Sequence, residues 1–332
     1  MKDIALELGV SVALVSYVLN GKNTDRINPN TASRIKKLAL EREYSPNQIA
    51  KSLKTNRTFT LGLIVADISN LFYSSIAKYI EEEANRLGYN VIFGSAYEKP
   101  GNFNSILNIL MSRQVDGYIL AIPEGAQKCI GQLRKLERPF VVIDRKFSEY
   151  PDAPSIILDN FDASRRVVQH LHENGFSRPG LVTIKKKLIH LEERKCGFIE
   201  TTRSLFRTDP FVYELHEEEL ECGIRTILLD ALYKDKVDAL CFFTNKISMA
   251  ALSVMSEIDL HVPGEVGIVC FDEAEAYRIF RTPVTYVRQP LRDMSVAAID
   301  YLVKSIKNGK VDAKATMREF KASLIVKQSS TR

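Results

Sequence analysis

Near the N-terminus, apolar positions recur at helical spacing. Ile4, Ala5 and Leu8 share one face of a first helix, and Val15, Val18 and Leu19 share a face of the next. Gly9 lies between them and can take the positive φ that ends a helix and redirects the chain. Ser11 is placed to cap the second helix, and Ala5 is small where two helices cross closely. A third helix follows, with Asn28 as its cap, Pro29 in its first turn, and Ile35, Leu38 and Ala39 on its apolar face. Tyr44-Ser45-Pro46 ends it, and the short polar run from Asn47 to Leu53 is only weakly helical by itself. Two short helices around a glycine turn suit a DNA-binding helix-turn-helix, with the helix from about Val12 to Asn20 in the major groove. The same pattern also occurs in proteins that never touch DNA.

From Phe59 the pattern changes to short apolar runs separated by helical stretches. The runs are LGLIVA (61–66), NVIFGS (90–95), GYILAI (117–122), FVVID (140–144), SIIL (155–158), GLVTI (180–184), ALCFF (239–243) and GIVCF (267–271). Strands without alternation, separated by helices, indicate parallel sheets covered on both faces. The predicted fold class is therefore α/β, with two doubly wound parallel-sheet subdomains and a cleft between them, preceded by an all-α headpiece. Ligands in such folds sit beyond the carboxyl ends of the strands, so the residues that follow each run carry the interest.

Charge sharpens the reading of the headpiece. Residues 1–58 hold 10 Lys and Arg against 5 Asp and Glu, while the whole chain holds 46 against 41. All of the excess positive charge thus lies in the small N-terminal unit, which points to a polyanionic partner. Cys129, Cys196, Cys222, Cys241 and Cys270 are odd in number and never form C-x-x-C, which argues for reduced thiols and against a zinc site. No apolar run has the length of a membrane span, and no signal-peptide core precedes the first helix, so a cytoplasmic protein is expected. Enzyme patterns such as G-x-S-x-G, G-x-x-x-x-G-K-S/T and H-E-x-x-H are absent. His170 and His172 are two apart on a helix and point away from each other, and with His190, His216 and His261 they suggest no metal cluster. Neither an enzyme nor a bound cofactor or metal is expected.

Several ordered motifs resemble the LacI/GalR family of bacterial transcription repressors. They are DIALELGVSVALVSYVLNG (3–21), YSPNQIAKSLKTNRT (44–58), LGLIVADISNLFY (61–73), VVIDR (141–145), RKCGF (194–198), Asn245 at a strand end, GIVCFD (267–272), TYVRQP (285–290) and SLIVKQSS (323–330). The resemblance implies a helix-turn-helix domain at 1–46, a hinge helix and linker at 47–58, and an effector-binding and dimerisation domain at 59–332 that resembles periplasmic sugar-binding proteins. In that domain an N-subdomain is expected over about 59–158 and 289–318, and a C-subdomain over about 159–288 and 319–332, with three strands crossing between them. A solute-binding protein without a DNA role would share this core. It would need a signal peptide, however, and would not carry the basic headpiece.

By the same resemblance, Ser11, Ser16 and Asn20 hold phosphates, Val12, Ala13 and Tyr17 occupy base-reading positions, and Leu53 wedges into the minor groove. Two small apolar side chains can contact thymine methyls but cannot make bidentate hydrogen bonds, so readout is expected to lean on methyl contacts and shape. The implied effector site contains Phe72, Tyr73, Asp144, Arg194, Asn245 and Asp272, a set suited to a sugar ring. Arg145 and Lys246 add cations near the cleft, which leaves a sugar phosphate or sugar acid open, although Lys246 could equally point to solvent. The implied partners are a near-palindromic duplex operator, a small-molecule effector and a second copy of the chain. No leucine-heptad extension follows Arg332, so a dimer is expected. Relatives usually carry Thr or Ser about three residues before the aspartate at position 3. That cap is missing here, and either a start a few codons upstream or a trimmed N-terminus is expected.

Overall fold

The computed structural model describes residues 1–19, 26–44, 57–309 and 317–332. They separate into two units, Met1–Thr58 and Phe59–Arg332. In the first, three helices, α1 (Lys2–Leu8), α2 (Val12–Leu19) and α3 (Pro29–Glu41), close around Ile4, Ala5, Val15, Val18, Ile35 and Ala39. Gly9 ends α1 at φ 64°, in the left-handed region that a residue without Cβ occupies freely. The Ser11 hydroxyl accepts from the Leu14 amide at 3.1 Å and caps α2. Asn28 caps α3 by accepting from the Asn30 amide at 2.9 Å. Met1 stands at the N-cap of α1 and makes no side-chain capping bond.

The second unit contains two six-stranded sheets. The first has the order β11-β5-β4-β3-β1-β2, from β1 (Thr60–Val65), β2 (Asn90–Ser95), β3 (Gly117–Leu120), β4 (Phe140–Ile143), β5 (Ser155–Leu158) and β11 (Arg318–Phe320), all parallel. The second has the order β12-β10-β9-β8-β6-β7, from β6 (Pro179–Ile184), β7 (Phe211–Leu215), β8 (Ala239–Phe242), β9 (Gly267–Phe271), β10 (Thr285–Arg288) and β12 (Ser323–Ile325). Central strands β3, β4, β8 and β9 are buried along their whole length, which explains their unbroken apolar runs.

The parallel expectation fails at one place among the described strands: β12 runs antiparallel to β10. Only Lys321 and Ala322 separate β11 in one sheet from β12 in the other, so no helical crossover imposes a parallel return. The chain passes between subdomains here, after β5 and after β10. The last passage follows Phe320, two residues beyond the expected 318/319 boundary, because β11 pairs with β5 through Phe320. Helix Leu291–Asn308 returns to the first subdomain and packs on helix Leu71–Arg86. Helices Asn160–Glu173 and Ile189–Phe206 pack together most closely at Gly197, where a Cβ would lie 2.5 Å from the Phe161 carbonyl oxygen.

Candidate functional site: an inter-subdomain cavity and a recognition helix

In the headpiece, Val15 and Val18 face the core, which turns Ser11, Val12, Ala13 and Tyr17 outward on α2. Val12 and Tyr17 are each 43% exposed and lie on the accessible face of the helix. Ser16 is half-buried beside them. Asn20, Leu53 and the hinge segment 47–54 lie outside the described residues.

A cavity lies between the two sheets at the carboxyl ends of their strands. All six residues expected for an effector line it: Phe72, Tyr73, Asp144, Arg194, Asn245 and Asp272. Asp144 immediately follows β4 and Asp272 immediately follows β9, one from each subdomain, and both have left-handed backbone, φ 72° and 65°. Non-glycine residues in that region are strained by about 1–2 kcal/mol, and such strain concentrates where a side chain must be aimed at a ligand.

Arg194 is buried and anchored on three sides. Its Nε donates to Asn160 Oδ1 at 2.8 Å and its Nη1 to the Phe243 carbonyl at 2.9 Å, while the guanidinium lies 3.6 Å from the Phe271 ring centre. Burial raises the Asp272 carboxyl pKa above its usual value, opposed by the Arg194 charge and by Gln289 Nε2, which donates to Oδ1 at 2.6 Å. On the other wall, Tyr73 donates its hydroxyl to Asp144 Oδ2 at 2.8 Å and accepts from Arg145 Nη2 at 3.0 Å. Arg145 is paired with Glu98 and also donates to the Ile122 carbonyl at 2.9 Å. Phe72 lies edge-on to Tyr73, ring centres 4.9 Å apart.

Four residues of this lining hold a buried polar atom without a hydrogen bond to the protein: Arg145 Nε, which has Asp144 Oδ2 at 3.6 Å, His190 Nδ1, Asn245 Nδ2 and Gln289 Oε1. Burial, and then the charges of Arg194, Arg145 and Lys186, hold the His190 pKa well below its usual value, so the ring is neutral near pH 7. Lys246 points neither to solvent nor freely into the cavity: its Nζ lies 2.9 Å from Asp67 Oδ2 and 2.6 Å from Glu217 Oε1. Glu98, Lys186, His190, Glu217 and Gln289 were not anticipated from sequence. Only Gln289, inside the TYVRQP motif, carried a local signal. Among the described residues no group of His, Cys, Asp and Glu could hold a metal ion. No described helix is long and apolar enough to cross a membrane.

Comparison with known proteins decides the family. Residues 1–47 match the lacI family of bacterial regulatory proteins, and residues 168–330 match a periplasmic binding protein-like domain. Over 313 residues the chain is 31% identical to the HTH-type transcriptional regulator RegA of Clostridium acetobutylicum, covering 92% of each protein. The chain belongs to the LacI family. It is a DNA-binding transcriptional regulator and not an enzyme. Its fold is shared with the Lac repressor dimer bound to operator, at a TM-score of 0.83 and 19% identity over 99% of this chain and 98% of that one. It is shared too with a LacI-type protein from Alkaliphilus metalliredigens complexed with D-xylulofuranose, at 0.71 and 21% identity over 81% and 98%. In this LacI-family chain the headpiece and the cavity are therefore the two places where function is to be sought.

Proposed function

We propose that this protein is a dimeric repressor whose affinity for a near-palindromic operator is set by a neutral sugar or closely related polyol in the inter-subdomain cavity. The observation that carries the ligand reading is one polar cavity lining drawn from both subdomains, four of whose residues hold a buried polar atom without a hydrogen bond to the protein. A buried polar atom left without a partner costs about 1–3 kcal/mol, which a hydroxyl brought into the cavity can offset. A polyol offers hydroxyls that both donate and accept, which matches a mixed set of donors (Arg145 Nε, Asn245 Nδ2) and acceptors (Gln289 Oε1, the Asp144 and Asp272 carboxylates). Phe72, Leu188 and Leu191 supply the apolar faces against which a sugar ring packs.

A neutral ligand is favoured over a sugar phosphate or acid. The lining holds four cations, Arg145, Lys186, Arg194 and Lys246, against five carboxylates, Asp67, Glu98, Asp144, Glu217 and Asp272. Arg145 is paired with Glu98, and Lys186 and Lys246 with Glu217. That leaves Arg194 as the cation without a carboxylate in hydrogen-bond contact, too little to offset the nearby acids for an anion.

On the DNA side, α2 of each protomer enters a major groove, with Ser11, Ser16 and Asn20 on phosphates and Val12, Ala13 and Tyr17 against base edges. Leu53 at the hinge opens the minor groove. A dimer presents two such helices to the operator, as in the Lac repressor complex, and the protein works in the bacterial cytoplasm. Effector and operator bind at distinct sites, so their coupling is allosteric and reciprocal.

Thermal unfolding of the whole chain across neutral pentoses, hexoses and disaccharides, their phosphate esters, uronic acids and purine bases tests the ligand. A sugar at about 100 times its Kd adds roughly 2.7 kcal/mol. A shift with a neutral sugar supports the proposal. Shifts confined to phosphates, acids or purines, or none at all, overturn it.

A further inference from the structure

Two ion pairs join the subdomains, and neither takes part in building a sheet. Lys246, the second residue of helix Asn245–Glu257, reaches out of its own subdomain to Asp67, which follows β1 in the other. Asp67 is fixed in place by the Ser69 amide at 3.1 Å and the Ser69 hydroxyl at 2.8 Å. Glu217, which Lys186 holds from behind, steadies Lys246 from its own side. The second pair is Lys146 Nζ to Glu193 Oε1, at 2.5 Å. Its members are the immediate neighbours of Arg145 and Arg194, one on each wall of the cavity. Among the described residues, these are the ion pairs that pass from one subdomain to the other.

We propose that the two pairs are charged latches that hold the cleft shut, and that Lys246 is a positioning residue which closes the site without binding the ligand. As regulation of the effector site, the idea rests on the reading above; as a statement about closure, it does not. When the cleft opens, both pairs must separate into water, where salt screens whatever attraction is left. Partly exposed pairs of this kind each change an equilibrium by a factor of about 1.4 to 5, so the two together bias the closed form by about 2- to 25-fold. The closed population should therefore fall as ionic strength rises, and effector and operator responses should fall with it.

The test is a distance distribution between spin labels at Asn104→Cys and Ser204→Cys, both exposed, one in each subdomain. It is measured in the full chain carrying Cys196→Ser and Cys222→Ser, with excess unlabelled protein. The three remaining thiols are buried and stay unlabelled. No sugar or DNA is added. The expected result is a dominant short distance in low salt. A second, longer distance should grow by about 2- to 25-fold in 0.5 M NaCl or in the Lys246→Met/Lys146→Glu variant, and by less in Lys146→Glu alone. Exchanging the charges of the second pair, with Lys146→Glu and Glu193→Lys together, should restore the short distance lost in Lys146→Glu alone. Distributions that ignore salt and both variants, or a swap that restores nothing, overturn the latches while leaving the sugar proposal standing. Equally, a sugar panel without a hit leaves this experiment intact.

Discussion

Replacing Arg194 with Met removes the cation at the centre of the cavity while roughly keeping its volume. The change strips Asn160 Oδ1 and the Phe243 carbonyl of their donor, at about 1–3 kcal/mol each. It also leaves Asp272 buried without the nearby positive charge that opposes the rise of its pKa. These contributions overlap, and relief of the guanidinium's own desolvation offsets part of them, so a net loss of about 3–5 kcal/mol is expected. In a domain this large that lowers Tm by roughly 10 °C. The loss should depend on pH. Burial already raises the folded-state pKa of Asp272, and without Arg194 it rises further. A group with a raised folded pKa gives full stability below its unfolded value and loses it as pH climbs through the folded value. The gap between parent and variant should thus narrow from pH 8 toward pH 5. Thermal unfolding of both proteins at several pH values is the assay. A variant within about 2 °C of the parent at pH 7.5, or a gap that widens on acidification, would refute the reasoning.

Three further outcomes follow from the same structure. Gly197→Ala drives a Cβ against the Phe161 backbone, which cannot rotate away, and should destabilise the effector domain by about 1–3 kcal/mol in denaturant titrations. Ser11→Ala removes the cap of α2; it should lower headpiece stability by about 1 kcal/mol and weaken binding to specific and nonspecific duplexes alike. His170 is held by Ser330 at 2.7 Å in the C-terminal network, and burial lowers its pKa. A depressed histidine keeps its full stability above the unfolded pKa of about 6.5 and loses it as pH falls below that value. Tm should accordingly drop below pH 6.5, and His170→Gln should flatten that drop.

Much of this architecture is written locally. The buried strands β3, β4, β8 and β9 cannot be anything but apolar runs, and a strand end in a wound α/β sheet marks the cleft, which is where the family resemblance had put Asp144 and Asp272. Four strands were not visible as apolar runs. β7 is mostly half-buried at a sheet edge, β11 and β12 are three residues long and exposed or half-buried, and β10 mixes Thr and Arg with its apolar residues. The site was legible to the extent that its residues sit in motifs. Glu98 was not, because its role comes from Arg145, 47 positions away. Lys246 is the instructive case: the sequence left it open between the cleft and solvent, and its place is decided by Asp67 and Glu217, which are remote in sequence.

The central claim is that one cavity and one DNA surface are coupled. The direct measurement takes an operator selected from random duplexes and a sugar found by thermal shift, and determines sugar affinity with the operator absent and saturating. The account predicts a change of roughly 5- to 150-fold, matched by an equal change in operator affinity when sugar is added. Sugar affinity that is identical with and without operator would contradict it.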